Sequence, residues 1–545
     1  MKQQATTITA AAITNTPASS AMRITQASRY GSLEVRALWP YVLIAIIALP
    51  LLLWNLESYP VPWFDEGFTT HASRVLAEYG FYGTYNAQDG YIHFDSGVST
   101  GPTLVIPIAL SFKLFGYGTW QARLVNVMYT LAMLWGFYAL MKRLYGRNVG
   151  LLSVLTLLAW PNLAGVGFLN VSRQVLGETP ALAFMAVGWY ALFKSWSARS
   201  TKLAALSGLL FGLGMVTKSQ VAIVFLPALG LISLLRLPQD KGHWVRWAAP
   251  VVMTLAVSMI WRGVEYAGQL GASPAVQKAN ADGYVQSIEL LLLPFNFGSL
   301  LKRSDWLLVL AMLVGGLACL WRVRIWQMLN PSVFRQPNRF HNRRYEEATL
   351  GLFSVLYALW YGFVSIGWSR YGFVGYIVGI LLCSKLLRDV MCWALARLPR
   401  ALQLGRPINL THQFTVMITI GLLAAASLDL LTMQVDDSAK QTASFIHNHI
   451  PREAVVETWE WELDAMSGHW EVHHPSEADD FEAIRQIFYE KRMPRLAYDE
   501  LQANPDYLIE GTMSDYTGVY DPETLIKHFQ LLTEIGSYRI YERIR

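Results

Sequence analysis

Trp63-Phe64-Asp65-Glu66-Gly67 follows directly on the apolar run 38–56 and opens a long polar loop, 57–119. Two adjacent carboxylates so close to hydrocarbon are costly to place and mark function. The run before them is one of about eleven of similar length, roughly 17–22 residues, enough to cross ~30 Å of bilayer as helix. They occupy 38–56, 120–141, 147–168, 179–196, 201–217, 220–236, 246–263, 305–322, 347–366, 371–391 and 412–432. With 53% hydrophobic and 15% charged residues, the composition is not that of a soluble protein. The expected fold class is a polytopic α-helical membrane protein.

Charge fixes the expected orientation. Residues 433–545 carry 10 Lys/Arg against 22 Asp/Glu, whereas residues 1–432 have a net charge of +17. The loops at 1–37, 142–147, 194–202, 236–246, 322–346 and 385–411 hold 24 Lys/Arg and the intervening loops up to 432 hold 8. By the positive-inside rule the N-terminus is cytoplasmic. An odd number of crossings then puts the 57–119 loop and the acidic tail outside. That parity requires 102–116, which carries Lys113, to be an interfacial helix and not a span. The basic balance thus reports topology and gives no sign of nucleic-acid binding.

Three regions are expected: a disordered cytoplasmic N-terminus (1–37), a membrane domain (38–432) and an external tail (433–545). The tail mixes helix-like segments, 437–449 and 481–491, with strand-like ones, 454–458, 507–509 and 538–543, as a small α/β domain would. It contains no metal-ligand spacing, nucleophile elbow or phosphate loop. Cys319, Cys383 and Cys392 lie in or beside spans, so no disulfide framework is visible. The long region before 41–54 and the lack of a small-x-small site argue against a cleaved signal peptide.

Five polar elements fall on the outer face: Asp65-Glu66; the loop residues His71, Asp89, His93 and Asp95; Arg173 with Glu178; Lys218; and Arg370-Tyr371. Each has an ordinary alternative, such as a helix-start cap for Asp65-Glu66, a first-turn acid for Glu178, or snorkelling for Lys218 and Arg370. Together they suit one chemistry. A lipid phosphate lies at this depth, Lys and Arg can hold it as it leaves, and a carboxylate can deprotonate an acceptor. A phosphate leaves readily, so no second carboxylic acid is needed.

The order of short elements resembles the GT-C superfamily of polytopic glycosyltransferases, in the branch of protein O-mannosyltransferases and the lipid A aminoarabinose transferase. The elements are Phe64-Asp-Glu-Gly67, Gly101-Pro-Thr-Leu104 leading to Ser111-Phe-Lys-Leu-Phe-Gly116, Ala122-Arg-Leu124, Arg143-Leu-Tyr-Gly-Arg147, Gly177-Glu-Thr-Pro-Ala181 and Gly208 to Lys218, followed by Arg370-Tyr371. The chain departs where the aminoarabinose transferases follow Asp-Glu with Thr-Arg-Tyr, since it has Gly67-Phe68-Thr69. It also has Thr100-Gly101-Pro102 where relatives place a Lys before the Pro, and it lacks the Trp-Trp-Asp of oligosaccharyltransferases.

The resemblance implies inverting transfer of a sugar from a polyprenyl-phosphate carrier at the outer face of the cytoplasmic membrane. The acceptor would be lipid A or core glycolipid, another glycan, or protein. Asp65 is expected to be the base, Glu66 to orient it or share a metal, and Glu178 to position hydroxyls. Lys218 and Arg370 would hold the departing phosphate, with Tyr371, Arg173 and His93 as further substrate contacts. A divalent cation (Mg or Mn) is compatible with this scheme but not required by it. The rival expectation is a transporter, flippase or non-catalytic binder of lipid-linked sugars, whose carboxylates should lie mid-span on broken helices.

Overall fold

The computed structural model describes residues 38–93, 100–162, 166–236, 244–270, 305–328, 342–397, 435–490 and 492–544, with scattered positions in 285–292 and 417–431. The N-terminal segment 1–37, Asp95, and most of the 264–304 loop and of the 412–432 span lie outside these. Two compact units are distinguished, Met1–Ile47 and Ala48–Arg545. The described part of the first belongs to the apolar helix α1 (Leu38–Leu53).

Helices stand where the apolar runs were expected: α4 (Thr119–Tyr145), α5 (Arg147–Leu158), α7 (Glu178–Ala198), α8 (Thr201–Thr217), α9 (Ala222–Arg236), α10 (Trp244–Gln269), α11 (Trp306–Arg322), α12 (Asn342–Phe363) and α13 (Phe373–Ala396). The segment 102–116, expected as a helix outside those runs, is α3 (Pro102–Phe115). Two further helices intervene, α2 (Phe64–Tyr79) before α3 and the six-residue α6 (Phe168–Arg173) before α7. Among the described residues, Thr119–Tyr145, Ser219–Arg236 and Trp244–Gln269 are long and apolar enough to cross a membrane, and five apolar helices of 10–17 residues accompany them. The run 147–168 ends early as helix, at Leu158. Pro161 supplies no N–H and disfavours helical geometry in the residue before it.

Small residues set the helix packing. Gly208 and Gly212 on α8 share a face at four-residue spacing, and a side chain on either would strike Pro250, Met253 or Val257 of α10. The backbones can therefore approach closely, as at other small-xxx-small seams. α8 also packs on α7, α7 on α4, and α11 on both α12 and α13.

The C-terminal part is a five-stranded sheet in the order β4-β3-β5-β7-β6, made of β3 (Val456–Thr458), β4 (Val472–His473), β5 (Tyr507–Glu510), β6 (Phe529–Ile535) and β7 (Tyr538–Arg543). β3 runs parallel to β4 and β5, and β7 antiparallel to β5 and β6. Five helices flank it: α14 (Ser438–His449), α15 (Trp461–Ser467), α16 (Glu477–Arg485), α17 (Thr512–Thr517) and α18 (Pro522–His528). One core gathers Ile446, Val456, Leu463, Ile509 and Ile540, and a second gathers Trp459, Leu508, Tyr520 and Phe529.

α2 is the element on which this sheet domain is seated. Phe64, Gly67, Phe68, His71 and Arg74 recur at helical spacing and form one face. Phe68 meets Trp461 edge-on at 5.0 Å, and the Arg74 guanidinium lies 3.7 Å from the Trp470 ring centre. His71 accepts the Tyr85 N–H at Nε2 (3.0 Å), and its Nδ1 stands 2.7 Å from Asp464 Oδ2. The hairpin of β1 (Gly83–Asn86) and β2 (Gly90–His93) adds a bond from Ala87 N–H to Val472 O, 2.9 Å. A Cβ at Gly67 would come 2.3 Å from the Glu462 nitrogen, so only glycine lets α2 lie against the backbone of α15. Gly67→Ala should cost about 1–3 kcal/mol through overpacking. The change will be visible as a lower melting temperature in detergent and faster proteolytic release of the sheet domain.

Candidate active site

α2 begins without a side-chain cap, with Asp65 and Glu66 in its first turn, where carboxylates offset the unpaired N–H groups. Successive helical residues point about 100° apart, and the two acids accordingly differ. Glu66 is buried; it accepts from Arg123 Nε at 2.7 Å and Nη2 at 2.6 Å, and from the Val175 N–H at 3.0 Å. Arg123, at the start of α4, also donates to Leu56 O and Pro60 O, which ties down the segment between α1 and α2.

Asp65 turns the other way, into a cavity of about 630 Å³. There it pairs with Arg370, 305 residues away in the turn before α13; one bond joins Nη1 to Oδ2, and Nη2 to Oδ1 measures 3.1 Å. Trp63 and Trp368 each place a ring centre 5.0 Å from the guanidinium. Burial alone would favour loss of the Arg370 proton, but Asp65 outweighs it and raises the pKa. Tyr371 lines the same cavity.

Three helix ends meet nearby. Glu178 opens α7, Lys218 closes α8, and the Gly101 N–H at the head of α3 donates to Thr217 O at 2.9 Å. Lys218 Nζ stands 3.6 Å from Glu178 Oε1. Glu178 is fully buried, yet neither of its oxygens has a hydrogen-bond partner among the described residues. It acts electrostatically on Arg370 and Tyr371, so the two groups of residues are neighbours.

The far wall of the cavity belongs to the sheet domain, through Glu460, Glu462, Asp480, Phe481, Met513 and Tyr538. Glu460 accepts from Ser514 N–H at 2.8 Å, Ser514 Oγ at 2.9 Å and Met513 N–H at 3.0 Å. Glu462 accepts from the Tyr538 hydroxyl at 2.9 Å. Burial and the adjacent Glu460 carboxylate hold the Glu462 pKa well above the usual carboxylate range. Deeper in the seam, burial opposes the charge on Asp464, but His71 and His474 more than offset it and keep that carboxyl well below the ordinary range.

The structure thus brings together Asp65, Arg370 and Tyr371, with Glu178 and Lys218 beside them. Arg173 and His93 do not line the cavity. Arg173 is buried over the Tyr59 ring (5.2 Å) and donates to Trp54 O; burial and then Arg123 lower its pKa to about 10. His93 ends β2 and packs on Phe81 at 4.5 Å. Among the described residues no group of three or more His, Cys, Asp or Glu could hold a metal ion. Sequence reasoning gave no role to Arg123, though Ala122-Arg-Leu124 had stood out, nor to Glu460 and Glu462. Two acids at alternate positions, beside Trp459 and Trp461, were the available signal.

Two solved structures overlay nearly the whole chain. ArnT from Cupriavidus metallidurans in the apo state matches 92% of this chain and 97% of its own at 15% identity, TM-score 0.60. Its complex with undecaprenyl phosphate matches 92% and 98% at 15% identity, TM-score 0.57. The fold is that of the GT-C glycosyltransferases. Within the GT-C fold, residues 100–264 match the sequence profile of the dolichyl-phosphate-mannose-protein mannosyltransferases. The archaeal oligosaccharyltransferase AglB from Archaeoglobus fulgidus overlaps more loosely, at 13% identity over 93% of this chain and 74% of its own, TM-score 0.48. A comparison with curated protein sequences gave no match.

Two stability measurements check this account. Glu66→Gln breaks a buried, saturated pair and should cost about 3–5 kcal/mol. Asp65→Asn, beside an open cavity, should cost about 1 kcal/mol. Thermal unfolding of the two variants in one detergent compares them directly. Glu462 sets a pH dependence of its own. With its folded pKa raised, its contribution is full below the ordinary Glu value of about 4.3 and is lost as pH rises through the folded value. The melting temperature should fall from pH 5 to pH 9, and Glu462→Gln, a match for the neutral acid, should recover roughly 2–4 °C at pH 9.

Proposed function

We propose that this chain is an inverting glycosyltransferase that moves a sugar from a polyprenyl-phosphate carrier to an acceptor at the outer face of the cytoplasmic membrane. The observation that carries the reading is the Asp65–Arg370 pair: a carboxylate and a guanidinium from opposite ends of the membrane domain meet on the floor of a 630 Å³ cavity. That volume lies in the range of small-ligand sites. The undecaprenyl phosphate bound by ArnT supports a polyprenyl-phosphate donor here.

In this scheme Lys218 and Arg370 receive the carrier phosphate as charge develops on it. Arg370 has one guanidinium and two claimants. When the phosphate arrives it draws the guanidinium from Asp65, whose carboxylate then takes the proton of the acceptor. The base is thereby released only when donor is present. Attack from the face opposite the phosphate inverts the anomeric centre. Glu178, buried beside Lys218 with unmatched oxygens, accepts hydroxyl hydrogen bonds from the donor sugar. Glu66 keeps Asp65 aimed, and Tyr371 bounds the pocket. Eleven spans, a cytoplasmic N-terminus and division into membrane (38–432) and external (433–545) domains complete the proposal.

The test is release of polyprenyl phosphate from a panel of polyprenyl-phosphate sugars by the full-length protein in nanodiscs, with envelope extract as acceptor. Asp65→Asn should lose about 10²–10⁴-fold in rate, the usual span for a general base. Lys218→Met should chiefly raise the donor KM. Undiminished release by Asp65→Asn would displace the base, and headgroup binding without turnover for every donor would favour a flippase.

A further inference from the structure

The cavity is unequal in charge. Among its described lining residues stand five carboxylates, Asp65, Asp436, Glu460, Glu462 and Asp480, against one cation, Arg370, which already faces Asp65. Four of the five come from the sheet domain, on the wall opposite the membrane helices. Glu460 is anchored by the first turn of α17 and is committed to the fold. Glu462 is not. It is 3% exposed, lines the cavity, and its Oε2 has no hydrogen-bond partner among the described residues, although Oε1 takes the Tyr538 hydroxyl. A buried polar atom left unmatched beside a cavity is costly unless a ligand satisfies it.

We infer that the wall at Glu462, oriented by Tyr538, is the acceptor subsite, and that it takes a neutral, hydroxyl-rich glycan and excludes phosphate-bearing ones. The inference rests on the transferase reading above, which puts the carrier phosphate on the membrane side and therefore the acceptor on this side. Carboxyl oxygens accept hydroxyl protons, and the neutral acid form also donates one. Trp63 and Tyr516, 37% and 48% exposed, offer ring faces on which the C–H face of a sugar can lie. A phosphate on the acceptor would instead meet carboxylates with no unclaimed cation, since the carrier phosphate holds Arg370. A peptide acceptor would require backbone donors and acceptors in equal measure, whereas this wall presents mainly acceptors.

The test uses the full-length protein in nanodiscs and oligosaccharides hydrolysed from bacterial envelopes, split by anion exchange into neutral and phosphate-bearing pools. A serine- and threonine-rich peptide pool serves as the third arm. Binding is read without chemistry, from tryptophan fluorescence, and polyprenyl phosphate release is read separately. The neutral pool should bind about tenfold more tightly than the phosphate-bearing pool, and phosphatase treatment should close that gap. Glu462→Leu should weaken binding of the neutral pool about tenfold, the value of a hydrogen bond to such a group. Glu462→Gln should restore binding to within about threefold, because its amide still accepts and donates. If Glu462→Leu does not fold, Tyr538→Phe removes the hydroxyl that orients Glu462 and should weaken binding in the same direction.

Equal or tighter binding of the phosphate-bearing or peptide pool would overturn the inference, as would unchanged affinity in Glu462→Leu. Release driven by the phosphate-bearing pool would overturn it while upholding the transferase. Selective binding of neutral glycan with no release from any donor would do the reverse, retaining the glycan site and refuting the transferase.

Discussion

The buried pair of Glu66 and Arg123 is the constraint from which the site follows. Arg123 donates to both Glu66 oxygens and to three backbone carbonyls of the segment between α1 and α2, so the start of α2 has little freedom left. A buried guanidinium is tolerable because it is fully occupied. Fixing Glu66 on the inner side fixes its neighbour on another, and Asp65 is turned into the cavity by helix geometry alone. The adjacent acids thus differ in place, one holding the helix and the other facing the cavity.

The same helix seats the sheet domain. Gly67 touches the backbone of α15, Phe68 meets Trp461, and His71 pairs with Asp464 at 2.7 Å, so the face that carries Asp65 at its head carries the sheet domain along its length. Any shift of α2 would move floor and wall of the cavity together. The arrangement also explains why Glu462, far away in sequence, stands across from Asp65: its own backbone is what Gly67 contacts. A membrane-side acid and a sheet-domain acid are held at one separation by a glycine contact and a histidine–aspartate pair.

Much of this could be read from the sequence, and what could not has a physical cause. Apolar runs announced the helices because a 3.6-residue repeat buried in hydrocarbon needs little beyond length and hydrophobicity. Asp65, Glu178, Lys218 and Arg370 stood out because charge is rare at those depths. Glu460 and Glu462 did not, since in a tail with 22 acids two more carry no signal until a fold buries them. Arg123 was hidden for a related reason: an arginine one turn into an apolar run reads as an interfacial anchor, and only its partners show that it clamps Glu66. His93 and Arg173 illustrate the opposite limit, for spacing along a loop does not say which side chains turn toward a common space.

How well each acid is satisfied separates framework from chemistry. Glu66 has three donors and is sealed, so it is framework. Asp65 has a partner but remains 31% exposed, on the floor of the cavity. Glu178 is wholly buried with only a lysine 3.6 Å away, and both of its oxygens lack hydrogen bonds among the described residues. In an ordinary interior such a group would be selected against, since burying an unmatched carboxylate outweighs most single stabilising contacts. The gradient from saturated to unmatched runs from Arg123 toward the three helix ends at Lys218. Glu462 stands apart from that gradient, on the opposite wall, with the same unmatched oxygen. The unmet acids therefore fall in two places, Glu178 at the helix ends beside Lys218 and Glu462 on the sheet-domain wall of the cavity.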